Sequence, residues 1–346
     1  MINKNNRIYQ EDISSVLQLE CDFSKLTNKT VLITGASGLV GTVLVDMFEK
    51  LNNEYNLNLK LILVSRHYEE INDLKICKWI SHDISEPLIL KEKIDYIIHA
   101  ASNTHPLQYS KYPIETISTN ILGSYNLLNL ACNNFKCRFL LLSSVEIYGD
   151  DNQKLENGFS EEDFGYLNCN SARAGYCESK RLSESLCQAY KAQKDLDFVT
   201  ARLCRLYGPT LKKDDSKALS QFLYKGLNKE NIILKSEGNQ FYSYLYVFDA
   251  ALALIFLLLN GESGNAYNVS DKNSNVKLKD LANCVANLSG TKLEFELPSE
   301  IEKEGFSRSQ RAILNSSKIN SLGWKAKFSL EDGLYRTLEV LKDESL

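Results

Sequence analysis

In this chain of 346 residues the types that announce a metal centre or a stapled scaffold lack the spacing either would need. Its four histidines, His67, His82, His99 and His105, show no metal-ligand spacing, so packing and loop roles are expected and no metal site. The nine cysteines (21, 77, 132, 137, 169, 177, 187, 204 and 284) are odd in number, scattered, and free of any Cys-x-x-Cys pair. That pattern excludes a disulfide framework and fits buried thiols in a reducing compartment. Long apolar runs are missing too. The longest, 250–259, is about half of the roughly twenty residues a spanning helix needs, so it reads as a buried helix and membrane insertion is not expected. The first ten residues are polar and lack the apolar centre of a secretory signal, which favours a cytoplasmic location. Charge of one sign does not accumulate: 40 basic and 44 acidic residues leave a net charge of -4. With no long basic or acidic run, nucleic acid is excluded as a partner and a small molecule is favoured.

What is present is a regular alternation. Short apolar runs at 31–34, 61–64, 96–100, 139–143 and 198–202 read as strands buried on both faces. Helical patterns at about 40–52, 113–133 and 174–193 separate them. This order predicts an α/β fold built on a doubly wound parallel sheet, with ligands at the carboxyl ends of the strands. Beyond residue 205 the alternation weakens and polar loops appear, so a smaller C-terminal α/β lobe covering the substrate is expected. The predicted organisation is an N-terminal extension at 1–28, a dinucleotide-binding domain at 29–204 with 240–260 returning to it, and a mainly substrate-binding lobe at 205–346. Ile13, Val16 and Leu17 give the extension a weak helical period.

Gly35-Ala-Ser-Gly38-Leu-Val-Gly41 follows the first strand and opens a helix carrying Val40, Val43, Leu44, Met47 and Phe48. Glycines at this spacing allow a sharp turn, close approach of a pyrophosphate to backbone N–H groups, and helix–sheet packing, which is the signature of a Rossmann dinucleotide site. Gly35, Ser37, Gly38, Leu39 and Gly41 are therefore candidate cofactor contacts. The second strand ends in Ser65 and Arg66, where an NAD-selective site usually carries a carboxylate. Arg66 suits a 2′-phosphate, so NAD or NADP is expected with NADP favoured, although a guanidinium over adenine fits either. Asp83 and Ile84 follow the third strand, Asp83 as an adenine contact or an exposed loop residue. Ala100, Ala101 and Ser102 end the fourth strand, where small side chains let the dinucleotide pass. Asn120 completes the expected contacts.

Tyr176 and Lys180 lie one helical turn apart and share a face. A free tyrosine titrates near about pH 10, and a nearby cation shifts a group by about one to three units. Tyr176 is thus a candidate base, with the bland alternative of a surface pair. Ser144 ends the fifth strand, where its hydroxyl could hydrogen-bond a developing oxyanion. If that strand continues, Glu146 shares its face and is a further candidate, against a carboxylate merely bonded to a loop.

These residues, with Asp95-Tyr-Ile-Ile-His-Ala-Ala101, Thr119-Asn-Ile-Leu-Gly-Ser124, Ser143-Ser-Val-Glu-Ile-Tyr-Gly149, Arg202-Leu-Cys-Arg-Leu-Tyr-Gly-Pro209 and Leu322-Gly-Trp324, resemble the extended short-chain dehydrogenase/reductase family. The resemblance covers roughly 28–340 and points to its nucleotide-sugar epimerase, dehydratase and decarboxylase branch. The stretch 106–184 looks most like UDP-glucuronate decarboxylases. It implies oxidation at sugar C4 by Tyr176, with Lys180 also holding the nicotinamide ribose and Ser144 bonding O4. It further implies a homodimer through the helices near 113–133 and 174–193.

Three departures bear on the reaction. Dehydratases of the family carry Asp-Glu or Ser-Glu where this chain has Val145-Glu146, and valine cannot donate a proton. Related enzymes often place asparagine at Arg205 and arginine at Tyr242. One reading moves pyrophosphate binding to Arg205, with Arg308 or Arg311 helping; the other makes Arg205 a structural ion pair. Gln221, Tyr242 and Arg311 complete the candidate substrate contacts with Ser144, Glu146 and Arg205. The leading expectation is a dehydratase or decarboxylase acting on a nucleotide diphosphate sugar for surface polysaccharide. A C4/C5 epimerase or an NADPH-dependent 4-keto-sugar reductase follows, and a dinucleotide-binding sensor without turnover is the rival from another class.

Overall fold

The computed structural model describes residues 3–66, 76–104, 111–149, 157–171, 174–296 and 310–343; His67, His105 and Arg308 lie outside them. In chain order the first strands are β1 (Thr30–Thr34), β2 (Lys60–Ser65), β3 (Cys77–Ser81), β4 (Tyr96–His99), β5 (Arg138–Ser144) and β6 (Asp197–Leu203). Next come β7 (Arg205–Tyr207), β8 (Ile232–Leu234), β9 (Phe241–Tyr246), β10 (Asn265–Val269), β11 (Asn275–Lys277), β12 (Leu293–Phe295) and β13 (Arg311–Ala312).

Seven of them form one sheet in the order β10-β6-β5-β4-β1-β2-β3, with every neighbouring pair parallel. The cause is visible in β1, β2 and β5, whose leucine, isoleucine and valine positions are buried on both faces. Chain order reverses between β1 and β4, so the crevice beyond their carboxyl ends is the switch point at which such sheets hold ligands. The expected Rossmann architecture is therefore the observed one. Asn265–Val269 was not legible as a strand: Asn-Ala-Tyr-Asn-Val has no apolar run, yet it pairs along all of 199–203 at the sheet's edge.

A smaller sheet is assembled around β9, which pairs with β7 and β13 in parallel and with β11 antiparallel. β8 and β12 form a separate parallel pair. Within 240–260, β9 joins the smaller sheet, whereas helix Val247–Asn260 packs with β5, β6 and helix Leu39–Tyr55. That helix contains the ten-residue apolar run and is buried from Val247 to Leu259, as a helix apolar all round must be.

The N-terminal segment is part of this core. Asn6 caps helix Arg7–Val16 by accepting from the Tyr9 N–H, and Tyr9, Ile13 and Val16 are at most 1% exposed. The Tyr9 hydroxyl donates to Asp46, and Asp12 accepts from Tyr246 and Arg336. The first helix is thereby tied to the glycine-turn helix and to the last one, Leu330–Asp343.

Candidate active site

The glycine turn is shaped by contacts that no side chain could occupy. Gly35 has φ +69, and a Cβ there would lie 2.8 Å from Ala101 N and 2.9 Å from the Ala100 carbonyl carbon. At Gly41 a Cβ would lie 2.1 Å from Gly35 O. Gly38 caps helix Leu39–Tyr55 with no side chain, which leaves first-turn N–H groups facing the switch point. This cradle, which a Cβ would fill, fits the pyrophosphate of a dinucleotide.

Around the cradle, the Ser37 and Ser65 hydroxyls meet at 3.0 Å. Exposed Arg66 donates to Asn103 at 3.3 Å. Asp83 accepts from the N–H and hydroxyl of Ser85, closing a local turn, while Ile84 is buried beneath Gly123. Ser102 donates to Asn120 (2.8 Å), Asn120 to Ser179 (2.8 Å), and Ser179 to the carbonyl of Tyr176 (2.9 Å). The end of β4 is thus linked to the helix that carries the tyrosine.

Strand β5 stops at Ser144, and Val145–Tyr148 forms a tight 3-10 turn. The expectation that Glu146 sits on a continuing strand is corrected: the Ser144 hydroxyl accepts from the Glu146 N–H at 3.2 Å and starts the turn. Helix Ala174–Lys194 lies against β5 and presents Tyr176 (8% exposed) and Lys180 (5% exposed) inward. A surface pair is excluded by that burial. The Lys180 Nζ donates to Leu142 O at 2.8 Å, and burial pushes its ammonium down to about 8, opposed by the nearby charge of Glu184. His99 is buried in β4 against Thr34, its imidazole pushed down to about 3 by burial and then by the Lys180 charge. It is therefore a neutral packing residue at neutral pH.

Three side chains without a role in the sequence reading hold this cluster in place. Arg181 donates to the carbonyls of Ile147 and Gly165, fastening the 3-10 turn to the helix. Buried Arg202 grips Glu184 through Nε and Nη2 and donates to the Tyr148 hydroxyl. Glu184 follows Lys180 by four residues, a same-face spacing that could have drawn attention to it.

On the smaller sheet, Arg205 meets Glu146 at 3.3 Å, and its guanidinium stands 3.6 Å from the ring centre of Tyr242. Glu146, Arg205 and Tyr242 are thus brought together. Arg311 lies on β13 over Phe241, at 5.3 Å. Gln221 is exposed on helix Ala218–Leu227 and donates to Ser216 O.

Comparison with known proteins gives the family and the fold. Residues 31–270 match the model of the NAD dependent epimerase/dehydratase family. UDP-glucuronic acid decarboxylase 1 of Xenopus tropicalis is 30% identical over 322 residues, covering 93% of this chain and 74% of the relative. UDP-glucuronic acid decarboxylase 3 of Arabidopsis thaliana is 31% identical over 315 residues, covering 89% and 87%. Epimerase Mth375 of Methanothermobacter thermautotrophicus shares the fold with a TM-score of 0.80 at 20% identity, covering 93% of this chain and 95% of that one. UDP-glucose 4-epimerase of Thermotoga maritima does so with 0.78 at 20% identity, covering 92% and 100%. The chain belongs to the NAD dependent epimerase/dehydratase family, within the extended short-chain dehydrogenase/reductase superfamily of NAD(P)-dependent nucleotide-sugar enzymes.

Proposed function

We propose that this enzyme oxidises a nucleotide diphosphate sugar at C4 and then releases carbon dioxide or water, with decarboxylation of UDP-glucuronate first in order. The observation that carries the reading is the buried Lys180, fixed to Leu142 O beside the end of β5 and one turn from Tyr176. In this reading Tyr176 takes the proton from O4, Lys180 supplies the positive charge that favours the phenolate, and Ser144 bonds the oxygen as charge develops. The glycine cradle would hold a nicotinamide dinucleotide, which would supply reversible redox capacity at C4, so that the oxidation and the later reduction of the sugar balance. Of the residues around the cradle, Ser37, Leu39, Ser65, Arg66, Asp83, Ile84, Ala100, Ala101, Ser102 and Asn120 are assigned to its surroundings, and Arg66 favours NADP.

A C4 ketone weakens the bond from C5 to a C6 carboxylate. That bond breaks, its electron pair moves toward the ketone, carbon dioxide leaves, and the resulting enolate takes a proton from water at C5. Val145 supports this branch over dehydration because it lacks the proton donor that loss of water needs. The likeness to UDP-glucuronic acid decarboxylases supports it as well. Residues 205–346 are assigned mainly to covering the sugar nucleotide, through Arg205, Gln221, Tyr242 and Arg311.

A homodimer is part of the proposal. Ile114, Leu122 and Tyr125 on helix Pro113–Cys132 and Leu182 on its packed neighbour are 75%, 46%, 49% and 44% exposed, an apolar face suited to a second copy. Among the described residues no helix is long and apolar enough to cross a membrane. A cytoplasmic site of action, in surface polysaccharide precursor synthesis, is assigned on the same terms.

The test is mass spectrometry of purified protein incubated with UDP-, GDP-, CDP- and dTDP-sugars. Loss of one carbon dioxide from UDP-glucuronate is expected; loss of one water names a dehydratase instead. No change with any sugar, with or without added NADPH, would sink the reading and favour a dinucleotide-binding sensor.

A further inference from the structure

Arg205 is placed differently from the structural arginine that stands three residues before it. Arg202 is 6% exposed and forks onto Glu184 at 2.8 to 3.2 Å, a built-in ion pair. Arg205 and Glu146 keep 21% and 36% of their side chains accessible and meet at 3.3 Å. A pair this accessible is weak enough for its partners to be exchanged. Tyr242, from the paired strand β9, supports the guanidinium from one side, its ring centre 3.6 Å away. A guanidinium held against an aromatic ring is positioned by that ring as well as by its carboxylate, so releasing Glu146 need not displace it.

The direction of that edge follows from the turn. Glu146 is two residues from Ser144, and its N–H is bonded to the Ser144 hydroxyl. Given the proposed function, on which this inference rests, Ser144 marks sugar O4. The ring carbons beside C4 are C3, which carries a hydroxyl, and C5, which carries the C6 group; of the two only the C5 side can present an anion to a guanidinium, whereas the diphosphate leaves from C1, across the ring. We propose that Arg205, shelved on Tyr242, reads an anionic substituent at the C5 edge of the sugar, and that Glu146 is the counter-ion it exchanges when that substituent enters. The assignment differs from a pyrophosphate role for Arg205. It also explains the pairing of an arginine on β7 with a tyrosine on β9: the charge comes from one strand and its platform from the next.

Calorimetric binding of UDP-glucuronate, UDP-glucose and UDP to the dinucleotide-loaded wild type and to Arg205→Ala tests this. The wild type is expected to prefer UDP-glucuronate over UDP-glucose, and the variant to lose that preference by about tenfold while UDP affinity stays within about twofold. Arg205→Lys, which keeps the charge but not the fork or the stacking, should also lose most of the preference. It serves as the test if the alanine variant does not fold, as judged by thermal melting. Equal weakening of all three ligands would place Arg205 on the diphosphate and overturn the inference. Unchanged binding of all three would make it structural and overturn it too, as would a wild type with no preference between the sugars. A wild type that binds its dinucleotide but no UDP-sugar would instead remove the proposed substrate class.

Discussion

The Lys180 Nζ hydrogen-bonds the carbonyl oxygen of Leu142 at 2.8 Å, two residues before Ser144 ends its strand. One bond thereby joins the helix that carries Tyr176 to the strand end that carries Ser144. It also places an ammonium where water does not reach, which costs stability and supplies the charge that the proposed base requires.

The cost has a sign that can be measured. Burial pushes Lys180 down to about 8 in the folded chain, against an ordinary value of 10.5. Between those values the unfolded chain holds more protons, so this residue's penalty is full at pH 7 and is relieved as pH rises toward 10.5. Lys180→Met lacks the penalty. Its stability relative to wild type should therefore decline by on the order of 1–3 kcal/mol between pH 7 and pH ~10.5, read from urea unfolding of both proteins. A difference that stays constant over that range would contradict the burial of a charged lysine.

Gly41→Ala places a methyl group 2.1 Å from Gly35 O, so the turn must open. The variant should purify without bound dinucleotide and lose about 1–3 kcal/mol of stability to overpacking. Absorbance and melting temperature check both. Full dinucleotide retention would show that the turn is not the cradle.

Arg66 lies exposed after β2, where the ribose of a dinucleotide is expected. Arg66→Ala should weaken NADP by about tenfold, the scale of one charge-assisted hydrogen bond, and leave NAD nearly unchanged. Equal effects on the two would point to stacking over adenine.

Ile13 is 1% exposed on the first helix and follows Asp12, which accepts from the Tyr246 hydroxyl. Ile13→Ala should cost about 2–5 kcal/mol. A melting temperature like that of the wild type would mean that the N-terminal helix is dispensable for stability.

Much of this was legible in the sequence because the cause is local. Strands β1, β2 and β5 are apolar runs, the glycine turn has its own spacing, and the helical run 250–259 is apolar throughout. What stayed hidden depends on distant partners. β10 is polar in sequence and becomes a strand by pairing with β6. β7, β11 and β13 are two or three residues long, too short to carry a period, and exist as partners of β9. Glu146 could be singled out as a residue, but its turn is set by the Ser144 hydroxyl and its partner by a strand 59 positions later. Arg181 and Arg202 acquire meaning only from the carbonyls and the carboxylate they reach.

In the proposed reaction Tyr176 starts a C4 oxidation that ends in loss of carbon dioxide. The direct measurement is the product mass from UDP-glucuronate incubated with the wild type and with Tyr176→Phe. Loss of one carbon dioxide is expected with the wild type and, with the variant, bound but unaltered substrate. An unaltered substrate with the wild type, or turnover by Tyr176→Phe at the wild-type rate, would contradict it.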